Sequence, residues 1–260
     1  MLSVSSIITC FLLALSSVRS APVDQVRTTH TSTVQFINKC SQKVWLAALS
    51  DWQNSPLPPN GGLLQSGDSY TLTVIDGWQG RFWGRTECDF LHKDVKTNTA
   101  CATGDCGSGE EYCQKLSGQP PATLVEFKFN GWNNLDYYDI SLVGGYNLPI
   151  SIQTHSTMGL SSNDPYRCTG PAIKEDINLV CPLALRQYNS KGQVVGCKSA
   201  CDAFGTPEYC CTGAHSTPQT CNASDFSKVF KTACPGCYSY TYDDATSTYT
   251  CSGDYTIQFC

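Results

Sequence analysis

Leu124-Val125-Glu126-Phe127-Lys128-Phe129 alternates apolar and polar side chains, the period of a β-strand with one face buried and the other wet. The same signal returns on either side of it. Upstream stand Val34-Gln35-Phe36-Ile37, Lys43-Val44-Trp45-Leu46, Tyr70-Thr71-Leu72-Thr73-Val74 and Arg81-Phe82-Trp83; downstream, Tyr138 to Val143 and Ile150 to Thr154. Tyr238 to Tyr242 and Tyr255 to Phe259 close the series. Each run is short, β-branched or aromatic, and bounded by Gly, Pro, Asn or Asp. No long helix intervenes, so the chain reads as an all-β sandwich or barrel.

Two stretches break this rhythm. Residues 86–126 carry four cysteines among Gly, Thr and Asp, and residues 175–234 carry seven. Helical signals occur only in the second, where Ser224-Asp225 can cap a short helix with Phe226, Val229 and Phe230 on one face. Both read as disulfide-pinned, loop-rich lobes, one small and one large. The sandwich itself is left with residues 33–85, 127–174 and 235–260, and the polar residues 21–32 read as a loose extension.

Residues 1–20 have the form of a signal peptide, an apolar run from Ile7 to Leu15 and then Val18 and Ser20 before a cut at Ala21. No other segment reaches the roughly 20 apolar residues of a spanning helix, so the chain is expected outside the cell without an integral membrane segment. Cleavage removes Arg19, leaving 16 Lys and Arg against 22 Asp and Glu, a net charge of −6. That balance disfavours nucleic acid and anionic membrane, whose binding rests on Lys and Arg, and leaves neutral sugars open.

Cleavage also removes Cys10, and 16 of the 17 cysteines remain, an even set suited to an oxidising compartment. His30, His92, His155 and His215 stand apart at no ligand spacing, so neither metal nor cofactor is expected. Asn222-Ala223-Ser224 is a glycosylation sequon and points to an exposed loop.

From Cys40-Ser41-Gln42-Lys43-Val44-Trp45 onward the chain resembles the thaumatin-like family, of the pathogenesis-related family 5 type. The resemblance continues through Gly80-Arg81-Phe82-Trp83-Gly84-Arg85-Thr86, Cys101-Ala102-Thr103-Gly104-Asp105-Cys106 and Leu124 to Phe127. It then takes in Asp136 to Val143, Tyr209-Cys210-Cys211 and Tyr242 to Thr248. It implies a β-sandwich with two cystine-rich lobes and a cleft between the sandwich and the larger one. Carried over, the pairs are Cys40–Cys260, Cys88–Cys101, Cys106–Cys113, Cys168–Cys251, Cys181–Cys197, Cys201–Cys210 and Cys211–Cys221. Ile173 stands where the family has a cysteine whose partner would be Cys234. Cys234 is therefore expected to close on Cys237, three residues on. A redox role for this C-x-x-C lacks the βαβ context that would support it.

The resemblance also implies a cleft lined by one arginine and four acids that binds a receptor or a glucan. The matching positions are Arg81, Glu126, Asp139 and Asp243, with Asp244 the alternative for the last; the remaining acid falls on Gly144. Two carboxyls in unlike environments can cleave a glycosidic bond, one as proton donor and one as base or nucleophile. Glu126 reads as the donor, with Asp139 or Asp243 as its partner and Arg81 keeping one carboxylate ionised. The plainer alternative is a satisfied polar cluster that fixes the sheet, with Asp243-Asp244 starting a turn. Trp52, Trp78 and Trp132 could stack on sugar rings or serve as half-buried lids.

The reading that results is a secreted, monomeric protein of the cell wall. It binds β-1,3-glucan in an acidic cleft, and any enzymatic activity is weak endo-β-1,3-glucanase. The alternative is a non-enzymatic defence or effector protein that perturbs membranes or binds a partner enzyme.

Overall fold

The computed structural model describes residues 31–50, 62–113, 116–156 and 164–260. The signal peptide, most of the N-terminal extension and Trp52 lie outside the described residues. In chain order the strands are β1 (Thr31–Asn38), β2 (Val44–Ser50), β3 (Leu63–Leu64), β4 (Ser69–Ile75), β5 (Gln79–Arg85) and β6 (Leu124–Lys128). There follow β7 (Asp136–Ser141), β8 (Ile150–His155), β9 (Arg186–Tyr188), β10 (Val194–Cys197), β11 (Tyr249–Cys251) and β12 (Asp254–Phe259). Three short helices, α1 (Ala200–Phe204), α2 (Pro207–Cys210) and α3 (Asp225–Ala233), all fall between β10 and β11.

The strands form a four-stranded sheet ordered β4-β1-β12-β8 and a six-stranded sheet ordered β11-β7-β6-β5-β2-β3, with β9 and β10 paired apart. Alternation along each strand decides what lies between the two large sheets. Val34 and Phe36 of β1, Val125 and Phe127 of β6 and Tyr255 and Ile257 of β12 are all buried in one core. Aromatic rings fill its centre. Phe127 stacks on Phe129 at 4.9 Å and meets Tyr255 edge-on at 5.0 Å, and Trp78 stacks on Phe82 at 4.8 Å. Trp78 is therefore core and not a surface platform for sugar, because β5 leads its ring inward onto Phe82.

Three sequence expectations change at the element level. Tyr238 to Tyr242 is not a strand. Only Tyr238 forms a bridge, to Ser141, and the chain then turns, because the Asp243 carboxylate accepts from both the Ser239 amide and hydroxyl. β6 belongs wholly to the six-stranded sheet, so the small lobe ends before Leu124 and not at residue 126. Thr31 and Ser32, read as extension, already pair with Ile75 and Val74 of β4.

Eight disulfides hold the described residues: Cys40–Cys260, Cys88–Cys101, Cys106–Cys113, Cys168–Cys251, Cys181–Cys197, Cys201–Cys210, Cys211–Cys221 and Cys234–Cys237. Ile173 is buried in the core beside the last of these, where Cys234 Sγ lies 3.7 Å from the Ala172 carbonyl. The small lobe is also tied to β5 by a charge. Arg85 is fully buried, its guanidinium donates to the Glu110 and Glu111 carbonyls, and burial lowers its pKa to about 10.

Candidate functional site

The face of the six-stranded sheet turned away from the core carries the polar half of each alternating strand. Antiparallel register sets Arg81 of β5 directly opposite Glu126 of β6, and Glu126 directly opposite Asp139 of β7. Side chains so opposed start about 5 Å apart, so guanidinium and carboxyls stand in one transverse row. Arg81 Nε meets Glu126 Oε1 at 3.5 Å in a pair that is about one-third exposed.

Asp139 ends the row and differs from Glu126. Protein crowds it closely while it keeps partial access to solvent at the cleft mouth, so it forms part of the floor. Its Oδ1 is buried with no hydrogen-bond partner among the described residues. Its pKa is pushed well above the usual carboxylate range, first by burial, then by the charges of Glu126 and Asp244, against the pull of Arg81.

Two concavities open from this row and share Arg81, Glu126, Asp139 and Tyr238. The wider, about 620 Å³, runs toward Pro120, Leu124, Val143 and Gly144. The narrower, about 210 Å³, runs the other way over Gln79, Lys128 and Tyr137 to Thr248. They make one cleft with the row across its middle.

The remaining candidates divide. Asp243 lines neither part. Its Oδ2 takes Lys231 Nζ at 3.0 Å as well as the two Ser239 donors, and it is a turn-fixing ion pair. Asp244 reaches the cleft indirectly, accepting at 2.8 Å from the hydroxyl of Tyr238, which lines the cleft together with Asp139. Gly144 lines the wide end, and a Cβ built on it meets nothing closer than 3.9 Å. Trp132 is 75 % exposed on the β6–β7 hairpin. Asn222 is exposed just before Ser224, which caps α3 by accepting from the Ser227 amide at 3.1 Å.

The lining is consequently not acidic in the sense expected. Arg81 and Lys128 stand against Glu126 and Asp139, and burial favours the neutral form of Asp139. Lys128 and Tyr137 were legible in principle, since each lies two residues from Glu126 or Asp139 and so shares their face. Tyr238 carried no such signal, because one isolated bridge brings it in from a distant turn. Among the described residues no cluster of His, Cys, Asp and Glu could hold a metal ion, and no helix is long and apolar enough to cross a membrane.

The model of the Thaumatin family matches residues 38–260, nearly all of the described chain. The chain belongs to the thaumatin family. It is 48% identical over 226 residues to a pathogenesis-related thaumatin-like protein 3.5 of Cryptomeria japonica, covering 86% of this chain and 88% of the relative. It is 41% identical over 233 residues to a glucan endo-1,3-beta-glucosidase of Prunus avium, covering 89% and 91%. Among solved structures it is similar to a laminaripentaose-producing beta-1,3-glucanase in complex with laminaritetraose, with a TM-score of 0.53 over 90% of this chain and 99% of the other. At 8% identity that last likeness is one of fold alone. The thaumatin fold here thus presents an open cleft whose centre holds one ion-paired carboxylate and one carboxyl of raised pKa.

Proposed function

We propose that the protein is secreted and binds β-1,3-glucan of a cell wall in this cleft, with slow endo-hydrolysis as the reaction the cleft can support. The observation that carries the reading is the Arg81–Glu126–Asp139 row, in which adjacent strands give two carboxyls opposite environments. General acid catalysis needs a carboxyl that holds its proton more tightly than its partner, and burial raises the pKa of Asp139 in that direction. Glu126, held by Arg81, is the anionic partner that attacks or activates water. These roles are the reverse of those read from the sequence, where Glu126 was the donor. The Prunus avium relative, named for this activity, and the eight disulfides, suited to an oxidising exterior, support the reading. A glycan at Asn222 is part of the same proposal.

Incubation with soluble β-1,3-glucan, following both binding and new reducing ends, tests it. Binding with slow release of reducing ends is the expected result. Binding without release makes the cleft a sugar receptor, and the absence of binding overturns the proposal.

Gly144→Asp supplies a second test. The site has room for a side chain and opens on the wide end of the cleft. A carboxylate there adds negative field and further disfavours ionised Asp139. The alkaline limb of the pH–rate profile is expected to move to higher pH, and an unmoved limb would show that Asp139 is not the acid observed.

A further inference from the structure

We infer that the narrow half of the cleft, lined by Lys128 and Tyr137 and continued past its lining by Trp132 on the adjoining hairpin, is a separate sugar subsite, which engages the glucan chain beyond the bond lying over Asp139. The inference rests on the reading of the cleft as a glucan site and adds the direction and reach of the chain within it.

The register supplies the placement. Gln79, Lys128 and Tyr137 are directly opposite one another on β5, β6 and β7, one same-face step along from Arg81, Glu126 and Asp139. Two residues of strand advance about 6.7 Å, so the second row lies parallel to the first at that spacing. A chain lying along the strands therefore crosses both rows, whereas a chain lying across them meets only one.

The chemistry of the second row suits a neutral sugar. Tyr137 presents a half-buried ring to the cleft, and Gly131 backs it so closely that an added Cβ would stand 3.0 Å from that ring. Lys128 is exposed, and its ammonium has no ion pair or hydrogen bond among the described residues, which leaves its donors for sugar hydroxyls.

Beyond them stands Trp132, whose carbonyl accepts from the Tyr137 hydroxyl at 3.5 Å. An indole exposed to 75 % is costly to leave in water and valuable to a partner with an apolar face. The hairpin under it is stiff. The Gly131 amide donates to the Leu135 carbonyl at 2.7 Å, and the Asn130 amide to Asp136 at 2.8 Å. Asn130, Asn133 and Asn134 all take left-handed backbone, which Asn tolerates better than most residues. The backbone that carries the indole is thus ordered before any ligand arrives, which lowers the ordering cost left to binding.

The test is calorimetric titration of the full mature protein with β-1,3-glucan oligosaccharides of increasing length. Trp132→Ala, Trp132→Phe and Lys128→Ala are compared with the parent, and thermal unfolding of each establishes that the fold is kept. The parent should gain affinity as the oligosaccharide grows past the length that fills the Arg81–Glu126–Asp139 row. Trp132→Ala should weaken long oligosaccharides about tenfold, a loss of about 1.4 kcal/mol, and leave short ones unchanged. Trp132→Phe should restore most of that loss, and Lys128→Ala should show the same dependence on length with a smaller effect. Equal weakening at every length would mark a general distortion and overturn the subsite. So would unchanged binding of long chains by Trp132→Ala and Lys128→Ala together. If the parent binds no oligosaccharide of any length, the reading of the cleft itself falls and the subsite falls with it.

Discussion

Asp139→Asn should lower hydrolysis of β-1,3-glucan by about 100-fold or more, the scale that general acid catalysis supplies, while making the fold more stable at neutral pH. The two effects share one cause. Asp139 Oδ1 is buried without a hydrogen-bond partner among the described residues, and burial with the charges of Glu126 and Asp244 disfavours its ionised form. A carboxyl whose folded pKa lies above its unfolded value binds more protons in the native state than in the unfolded one. Its effect on stability is therefore most favourable below the unfolded value and is lost as pH rises through the raised folded value. Asn keeps the shape and never ionises, so the variant should lack that decline. Urea titration of both proteins from acid to neutral pH reads the stability, and release of reducing ends reads the rate. An Asp139→Asn protein that hydrolyses at the parental rate, or whose stability follows the parental dependence on pH, would remove Asp139 from the role of acid. Such an exchange of stability for function is common where a site holds a group in an unfavourable environment.

Much of the architecture was legible because it depends on a short period. The alternation of Val125, Glu126, Phe127 and Lys128 fixes which face is core and which is cleft, and it does so without knowledge of the partner strands. Ser224 likewise announced α3, since a cap acts over three residues. What failed to show involved distance in sequence. Tyr238 to Tyr242 has a strand-like composition, yet no neighbouring strand offers it a ladder, and Asp243 folds it into a turn tied to Lys231. Trp78 looked like a surface aromatic among Gly and Asp, and only the approach of Phe82 and Phe129 makes it core. The roles proposed for the two carboxyls differ from those expected from the sequence for a related reason. Glu126 sits on a strand between apolar neighbours that hold it rigidly, but those neighbours point to the opposite face and leave Glu126 beside Arg81. Asp139 faces Glu126 of β6, shares the cleft lining with the distant Tyr238 and feels the charge of Asp244, and no local pattern contains the last two.

Removing the bridge between Cys40 and Cys260 should be the most damaging of the disulfide changes. The bridge joins residues 220 apart and fastens the end of β1 to the end of β12, where Asn38 already pairs with Phe259. β1 and β12 are parallel neighbours in the middle of the four-stranded sheet, so nearly the whole described chain lies in the loop between them. Parallel strands so far apart in sequence can pair only after that long loop is closed, and the bridge closes it in the unfolded state as well. The chain-entropy relation gives about 5 kcal/mol for a loop of this length and about 2 kcal/mol for the short loop closed by Cys234 and Cys237. Cys40→Ser with Cys260→Ser should therefore lower the unfolding free energy by about 3 kcal/mol more than Cys234→Ser with Cys237→Ser. Guanidinium unfolding of both double variants beside the parent measures the difference. Equal losses would mean that the bridges act by packing in the native state, since both Cys234 and Cys237 are buried in the core and their removal would be felt there. A loss confined to the Cys40–Cys260 variant would place the stability of the sandwich in the closure of its ends.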